Sequence, residues 1–527
     1  MLFSLRRPAV LLFAIAVFSL PTSRAGDLEG RIKGVLARPE YKHSRWGLLV
    51  VDADNGQTIF QRNADELFSP ASVTKLFTCA AALVEFGSEY HFRTPVYRRG
   101  QLVDGTLKGD LILVAKGDPT MGGRTDASGH LVFKNIDHTY ATFGSTHPEL
   151  TDTDPLGGLR ALARQVRDSG IREVEGDVLI DDRLYPPSLG TGSGPRLVTP
   201  IMVNDNLLDV IITPGPAVGE RATAKVRPDN GFIHVDVQVQ TVASGDKPNI
   251  SVELVGLDRY VLRGRIPLGS KPLVRICPIT NSELFARGLF IETLRREGVR
   301  IRASTLRPPT AVSLPDRDAY AGLSRVAIYE SPPLSELVKI ILKVSHNLYA
   351  STLPMLIAAK HGKRTLAEGM ALERKILDEL GVSVKDMTLE SGAGGGSGDR
   401  VTPRTTVKLL QAMARRPDFS AYREALPILG VDGTLWNVVA KDSPARGKVM
   451  AKTGTYIDND LLNDRLLLRS KSLAGFMTTK NGRHLCLALF VNDVPLPPGV
   501  ESTREGKVLG HLCEILYLHT PGNDTGN

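Results

Sequence analysis

The spacing of apolar positions changes several times along this chain. Residues 46–52 and 57–62 are short apolar runs separated by Asp54-Asn55-Gly56. Two such runs around an Asn-Gly turn predict a β-hairpin. Ser69-Pro70 then opens a helix, with Ser69 placed to cap it and Pro70 at its first position. Leu76, Phe77, Ala80, Ala81, Leu83 and Val84 make that helix apolar over much of its surface. It is expected to be buried and central, ending near Gly87. From about residue 97 to 314 the texture differs. Short β-rich runs at 110–114, 176–180, 207–212, 232–239 and 250–254 alternate with Gly/Pro turns, and 154–169 looks helical. Helical spacing returns at 334–342, 348–359, 365–380 and 405–415. Two strands, 473–478 and 484–492, and a helix over about 500–518 close the chain.

Strands at both ends with helices between them predict an α+β fold in which N- and C-terminal strands share one sheet. Residues 26–95 and 320–520 then form one split domain. Residues 96–319 are one or two inserted β-rich subdomains, and 521–527 a disordered tail. Residues 1–25 stand apart. Arg6 and Arg7 precede an apolar run at 9–20, then Pro21 and Ser23-Arg24-Ala25. That is the pattern of a secretory signal cleaved after Ala25. The apolar run is too short for a membrane span, which needs about 20 residues. The expected location is the periplasm or cell envelope.

Composition narrows the function classes. Of 527 residues, 42% are hydrophobic and 23% charged, as in ordinary globular proteins. The net charge of +8 is spread along the chain without a dense Lys/Arg tract, so nucleic acid is not the expected partner. The excess suits an acidic polymer or a membrane surface, which leaves peripheral membrane association open. Cys79, Cys277, Cys486 and Cys513 are too few and too scattered for a disulfide framework or a zinc site. Cys486 and Cys513 would meet only if a strand packs on the last helix.

Three short motifs carry chemistry. In Ser72-Val73-Thr74-Lys75, positions i and i+3 share a helix face, so the Lys75 amine can reach the Ser72 hydroxyl. A serine needs such a base to act as a nucleophile, and burial lowers a lysine's pKa enough to supply one. A second Ser-x-x-Lys, from Ser244 to Lys247, sits in a turn-like stretch and reads as chance. Ser345-His346-Asn347 can place a hydroxyl and an amide in one cleft. Lys452-Thr453-Gly454-Thr455 follows the strand-like 448–451 and suits a substrate carboxylate, with Gly454 allowing close backbone approach. His346 invites a Ser-His reading, but Lys75 already fills the base role. Gly394-Gly395-Gly396-Ser397-Gly398 lacks the ending of a nucleotide loop and reads as a mobile loop beside the cleft.

Ser-x-x-Lys, Ser-x-Asn and Lys-Thr-Gly in this order are the set of penicillin-binding proteins and serine β-lactamases. The interval from Ser72 to Ser345 is far longer than in single-domain members. It resembles the D-alanyl-D-alanine carboxypeptidase/endopeptidase family that includes penicillin-binding protein 4, which carries a long insertion there. Gly109-Asp110-Leu111 to Lys116-Gly117-Asp118-Pro119-Thr120, Glu175-Gly176-Asp177 to Asp181-Asp182, and Leu429-Gly430-Val431-Asp432-Gly433-Thr434-Leu435 are similar to that family as well. The resemblance implies a transpeptidase-like domain, an antiparallel sheet with helices, split by β-rich insertions. It implies no cofactor and no metal. Its substrates would be peptidoglycan stem peptides and D-Ala-meso-diaminopimelate cross-links, and β-lactams would acylate it. By the same resemblance Ser72 attacks, Lys75 takes its proton and Ser345 relays a proton to the leaving amine with Lys452. Asn347 holds the substrate amide, and Thr453 and Thr455 bind the terminal carboxylate or its equivalent.

The chain departs from the family at His346, at Glu390-Ser391-Gly392-Ala393-Gly394, at Tyr456 and in the long stretch 458–471. These departures concern contacts at the substrate rim more than the core chemistry. An esterase or β-lactamase of the same fold, or a catalytically silent envelope binding protein, are the competing readings. The intact Ser72/Lys75, Ser345/Asn347 and Lys452/Thr453 pairs argue against the last.

Overall fold

The structure is a computed structural model that describes residues 24–142, 147–256, 258–306 and 313–522. The signal expected at 1–25 therefore lies outside the described residues except for its last two positions, and the tail at 521–527 except for its first two.

The expected shared sheet is present. Its five antiparallel strands run in the order Val449–Asp460, Arg465–Thr478, His484–Pro495, Arg45–Asp52, Thr58–Arg62. Side chains alternate across it, as the period of a strand requires. Leu48 and Val50 point to one face with Leu485, Leu487 and Leu489, where helices Arg24–Leu36 and Thr503–His519 cover them. Leu49 and Val51 point to the other with Cys486, Ala488 and Phe490. Helices Thr74–Phe86, Leu334–Lys343, Asn347–Lys360 and Pro403–Ala414 pack there. The result is an α+β sandwich of helices, sheet and helices. Thr74–Phe86 is its central helix, buried along most of its length, and ends at Gly87 in a positive-φ conformation.

The hope that Cys486 and Cys513 meet fails for the same reason. Cys486 faces the central helix and Cys513 the C-terminal helix, on opposite faces of the sheet. All four cysteines are buried free thiols.

The intervening chain builds further sheets. A six-stranded sheet is assembled around the hairpin Arg93–Val103 and Thr106–Val114, and strand Ser324–Glu330 returns to pair with Arg93–Val103. Two three-stranded sheets follow, centred on Leu207–Thr213 and Arg259–Pro267. Helices Gly157–Asp168 and Ser282–Arg296 pack with them around a second core. Ser244 lies in an exposed turn between His234–Val242 and Asn249–Leu254, not on a helix. Among the described residues no helix is long and apolar enough to cross a membrane.

Candidate active site

Ser72 sits in a 3-10 turn, Ala71–Val73, immediately before the central helix. The expectation that Ser69 caps that helix is not met, because its hydroxyl has no partner. The Ser69 backbone is used instead. Its N–H donates to Asn492 Oδ1 at 2.8 Å, and its carbonyl accepts from Ser470 Oγ at 2.6 Å. Ser472 Oγ donates to the next carbonyl, Pro70, at 2.7 Å. Ala71 is held at φ 47°, a left-handed conformation that a residue with a side chain adopts only under constraint. Two glycines supply the constraint. A Cβ on Gly394 would lie 2.0 Å from the Ala71 carbonyl, and one on Gly454 2.4 Å from the Pro70 carbonyl and 2.2 Å from Ser472 Oγ. The Ser72 turn is thus wedged between the 392–396 segment and the edge strand. Gly454, expected to admit a substrate backbone, is occupied by this packing. The glycine run expected as a mobile loop forms a wall of the site.

Lys75 lies one turn on and is fully buried. Its Nζ reaches Ser72 Oγ at 2.9 Å, Asn347 Oδ1 at 2.7 Å and the Ala393 carbonyl at 2.5 Å. None of these partners is a carboxylate. Burial pushes its pKa down to about 7. A neutral amine here spends two N–H groups on Asn347 and Ala393. Its lone pair is left facing the Ser72 hydroxyl, as a base for that proton must be.

Ser345 and Lys452 form the opposite wall. Ser345 adopts φ 63°, and its Oγ accepts from Lys452 Nζ at 2.9 Å. Lys452 is fully buried, and its Nζ also donates to the Thr453 carbonyl at 2.7 Å. Burial first, and then the positive charge Lys75 carries when protonated, hold its pKa well below the usual lysine range. Asn347 begins helix Asn347–Lys360 and joins the two walls, receiving Lys75 on Oδ1 and donating from Nδ2 to the Ser193 carbonyl at 3.0 Å. Thr453 Oγ1 donates to Thr434 Oγ1 at 2.7 Å. Thr455 is exposed, and its Oγ1 accepts from Lys471 Nζ at 2.8 Å. All eight residues singled out by sequence therefore line or brace one cleft.

His346 is not part of that chemistry. It is fully buried, stacks on Tyr349 at 3.8 Å, and its Nδ1 accepts the Tyr349 N–H at 3.2 Å to cap the helix. Burial pushes its pKa down, so the ring is neutral. Its Nε2 lies 3.6 Å from Asp205 Oδ2.

Asp205 belongs to a buried charge cluster that the sequence reading missed. Arg124 donates to Asp205 at 2.8 Å and to Asp137 at 2.7 Å, His138 bridges Asp205 and Asp209 at 2.9 and 2.6 Å, and the Tyr349 hydroxyl donates to Asp205. Tyr140 OH donates to the Ser345 carbonyl at 2.6 Å. The inserted chain thus grips the Ser345–Asn347 turn through Tyr140, Ser193 and Asp205. Nothing local in the sequence announces these contacts. Lys471 was also missed, although pairing the Lys-Thr-Gly strand with the next one across a turn at 461–464 would have found it.

This chain matches the model of the "D-Ala-D-Ala carboxypeptidase 3 (S13) family" over residues 28–508. It is 27% identical to the D-alanyl-D-alanine carboxypeptidase of Actinomadura sp. strain R39, covering 82% of this chain and 77% of that one. It is 26% identical to D-alanyl-D-alanine carboxypeptidase DacB of Haemophilus influenzae, covering 90% of each. The crystal structure of penicillin binding protein 4 from Haemophilus influenzae superposes with a TM-score of 0.68 at 21% identity, over 94% of this chain and 99% of that one. That likeness establishes the shared fold, and the family match reaches from within the first helix into the first turns of the last. The chain belongs to the D-Ala-D-Ala carboxypeptidase 3 (S13) family.

Proposed function

We propose that this chain is a penicillin-sensitive serine DD-peptidase. It cleaves the D-Ala-D-Ala end of peptidoglycan stem peptides, and D-Ala-meso-diaminopimelate cross-links, through an acyl-enzyme on Ser72. The observation that carries this reading is a buried Lys75 amine 2.9 Å from Ser72 Oγ with no carboxylate partner and a pKa near 7. A structural lysine would be paired or exposed. Lys75 takes the Ser72 proton as Oγ attacks the carbonyl between the two D-alanines. Lys452 and Ser345 form a relay that returns a proton to the leaving amine. Strand Val449–Asp460 is at the sheet edge, so a substrate backbone can add alongside it. The backbone N–H groups of Ser72 and Thr455 form the oxyanion hole, where one donor is worth roughly 2.7–4 kcal/mol. Water then releases the peptide.

The expected secretory signal supports action on peptidoglycan in the periplasm or cell envelope. A relative of the same fold has been crystallised with a β-lactam, which agrees with acylation of Ser72 by such compounds. The test is incubation with a stem pentapeptide and, separately, with a cross-linked muropeptide. Release of D-alanine from the first and of monomers from the second, both lost in Ser72→Ala, is the expected result. Rapid turnover of penicillin with no peptide cleavage would instead identify a β-lactamase of this fold.

A further inference from the structure

The Asn347 amide has its donor already in use. By the family resemblance Asn347 holds the substrate amide, and Nδ2, a donor, takes an amide only by its carbonyl oxygen. Among the described residues Nδ2 donates only to Ser193: to its carbonyl at 3.0 Å and its Oγ at 3.5 Å. Oδ1 accepts from Lys75. A peptide carbonyl of the chain itself thus stands where the substrate carbonyl would bind.

Ser193 sits at the tip of a strap from the inserted chain. Strands Ser188–Leu189 and Leu197–Val198 pair at its base. Above them the Gly190 N–H donates to the Arg196 carbonyl at 2.7 Å, and Arg196 Nε donates back to the Gly190 carbonyl at 2.9 Å. The tip, 191–195, has no strand pairing of its own and is held from outside. Thr191 Oγ1 shares a hydrogen bond with Ser391 Oγ at 2.7 Å and accepts from the Gly395 N–H at 3.2 Å. Both partners flank Ala393, whose carbonyl receives Lys75. Gly192 and Gly194 take φ 89° and 84°, so the tip turns on two residues without side chains. A Cβ on Gly192 would lie 2.6 Å from Asn347 Nδ2, so the strap closes this tightly only with glycine there. Gly192 and Ser193 are exposed to solvent, and the tip can leave without opening a core.

We propose that the strap at 190–194 is an autoinhibitory gate over the acyl side of the cleft. The Ser193 carbonyl occupies the place of the substrate amide carbonyl, and Thr191 is the latch that holds it there. This rests on the DD-peptidase reading above and deepens it. When the substrate arrives, its carbonyl replaces that of Ser193 on Asn347, one hydrogen bond for another. The latch bonds of Thr191 are lost without replacement, so they set the cost of opening. A ligand that needs the open strap binds more weakly in proportion to the open fraction. A ligand without that carbonyl does not compete with Ser193.

The experiment measures second-order acylation by two penicillins. Benzylpenicillin carries an acylamino carbonyl like that of the substrate, and 6-aminopenicillanic acid lacks it. The proteins are the wild-type chain, Thr191→Val, and the double variant Thr191→Cys/Ser391→Cys, whose sulfurs replace two oxygens 2.7 Å apart. Thr191→Val removes the latch and should raise the benzylpenicillin rate about tenfold, the factor a net hydrogen bond is worth, while 6-aminopenicillanic acid stays within about twofold. The oxidised double variant should lose about tenfold or more on benzylpenicillin alone and recover with reductant. A merely structural strap would instead give Thr191→Val a loss on both compounds. That result, or an unchanged benzylpenicillin rate, overturns the inference and leaves the DD-peptidase reading standing. Should Thr191→Val fail to fold, the double variant decides alone, and equal benzylpenicillin rates in its oxidised and reduced forms overturn the gate. A wild-type chain that reacts with neither compound overturns the DD-peptidase reading and this inference with it.

Discussion

Gly454→Ala is a small change with a large expected effect on Ser72, the proposed nucleophile. The added Cβ would sit 2.4 Å from the Pro70 carbonyl and 2.2 Å from Ser472 Oγ, while ordinary contacts begin at 3.4 Å. The Ser472 hydroxyl can rotate away, at the loss of its 2.7 Å hydrogen bond to Pro70. The Pro70 carbonyl is backbone and must itself move, by about 1 Å. It lies two residues before Ser72, across the constrained Ala71. A displacement of that size in a reacting group costs about a hundredfold in rate, or about 2.7 kcal/mol of transition-state stabilisation. Overpacking costs a further ~1–3 kcal/mol of stability. The assay is the second-order rate of acylation by a fluorescent penicillin, with thermal unfolding recorded on the same samples. A rate loss near a hundredfold in a folded variant is expected. Wild-type acylation by Gly454→Ala would show that the glycine does not hold the nucleophile turn, and the reasoning would fall.

Further outcomes follow from the same geometry. The rate of acylation should rise about tenfold per pH unit below about 7 and level off above it, because Lys75 must be neutral to accept a proton and its pKa is near 7; a flat profile from pH 5 to about 9 would contradict its role as base. Asp205→Asn should destabilise the protein by ~3–5 kcal/mol in urea unfolding, since it leaves Arg124 and His138 short of a buried counter-charge. Tyr140→Phe removes one hydrogen bond to the Ser345 carbonyl and should cost about 1 kcal/mol in the same measurement. Leu461 and Leu462, 89% and 93% exposed at the hairpin tip, should tolerate Ser with a change within about 0.5 kcal/mol.

The sequence made the elements of the candidate site readable because their signals are local. The apolar spacing around Leu76, Phe77 and Ala80 marks a buried helix, and Asp54-Asn55-Gly56 marks its preceding hairpin. The last strands were legible only in part. Arg465–Thr478 extends well before residue 473, because the polar run Arg469-Ser470-Lys471-Ser472 separates its first apolar residues, Leu466 to Leu468, from the apolar stretch that begins at Leu473. Lys452 lies inside a twelve-residue strand, although Lys-Thr-Gly-Thr looks like the end of one. Ser69 failed as a cap for a tertiary reason: Asn492 and Ser470, from distant strands, claim its backbone and leave its hydroxyl idle. Gly454 was recognised as a close approach but assigned the wrong neighbour, since only the folded chain shows Pro70 and Ser472 filling the space. The Arg124–Asp205 cluster and Tyr140 join residues separated by a long stretch of chain, and no periodicity records such a meeting. Lys471 sits between these cases, one strand register away from a motif already in view.

The central claim is that Ser72, activated by Lys75, is the nucleophile. It is tested most directly by treating the folded wild-type chain and Ser72→Ala with benzylpenicillin and measuring intact and peptide masses. The account predicts one penicilloyl adduct per wild-type chain, mapped to the peptide that contains Ser72, and none on the variant. An adduct on another residue, or one that persists in Ser72→Ala, would contradict it.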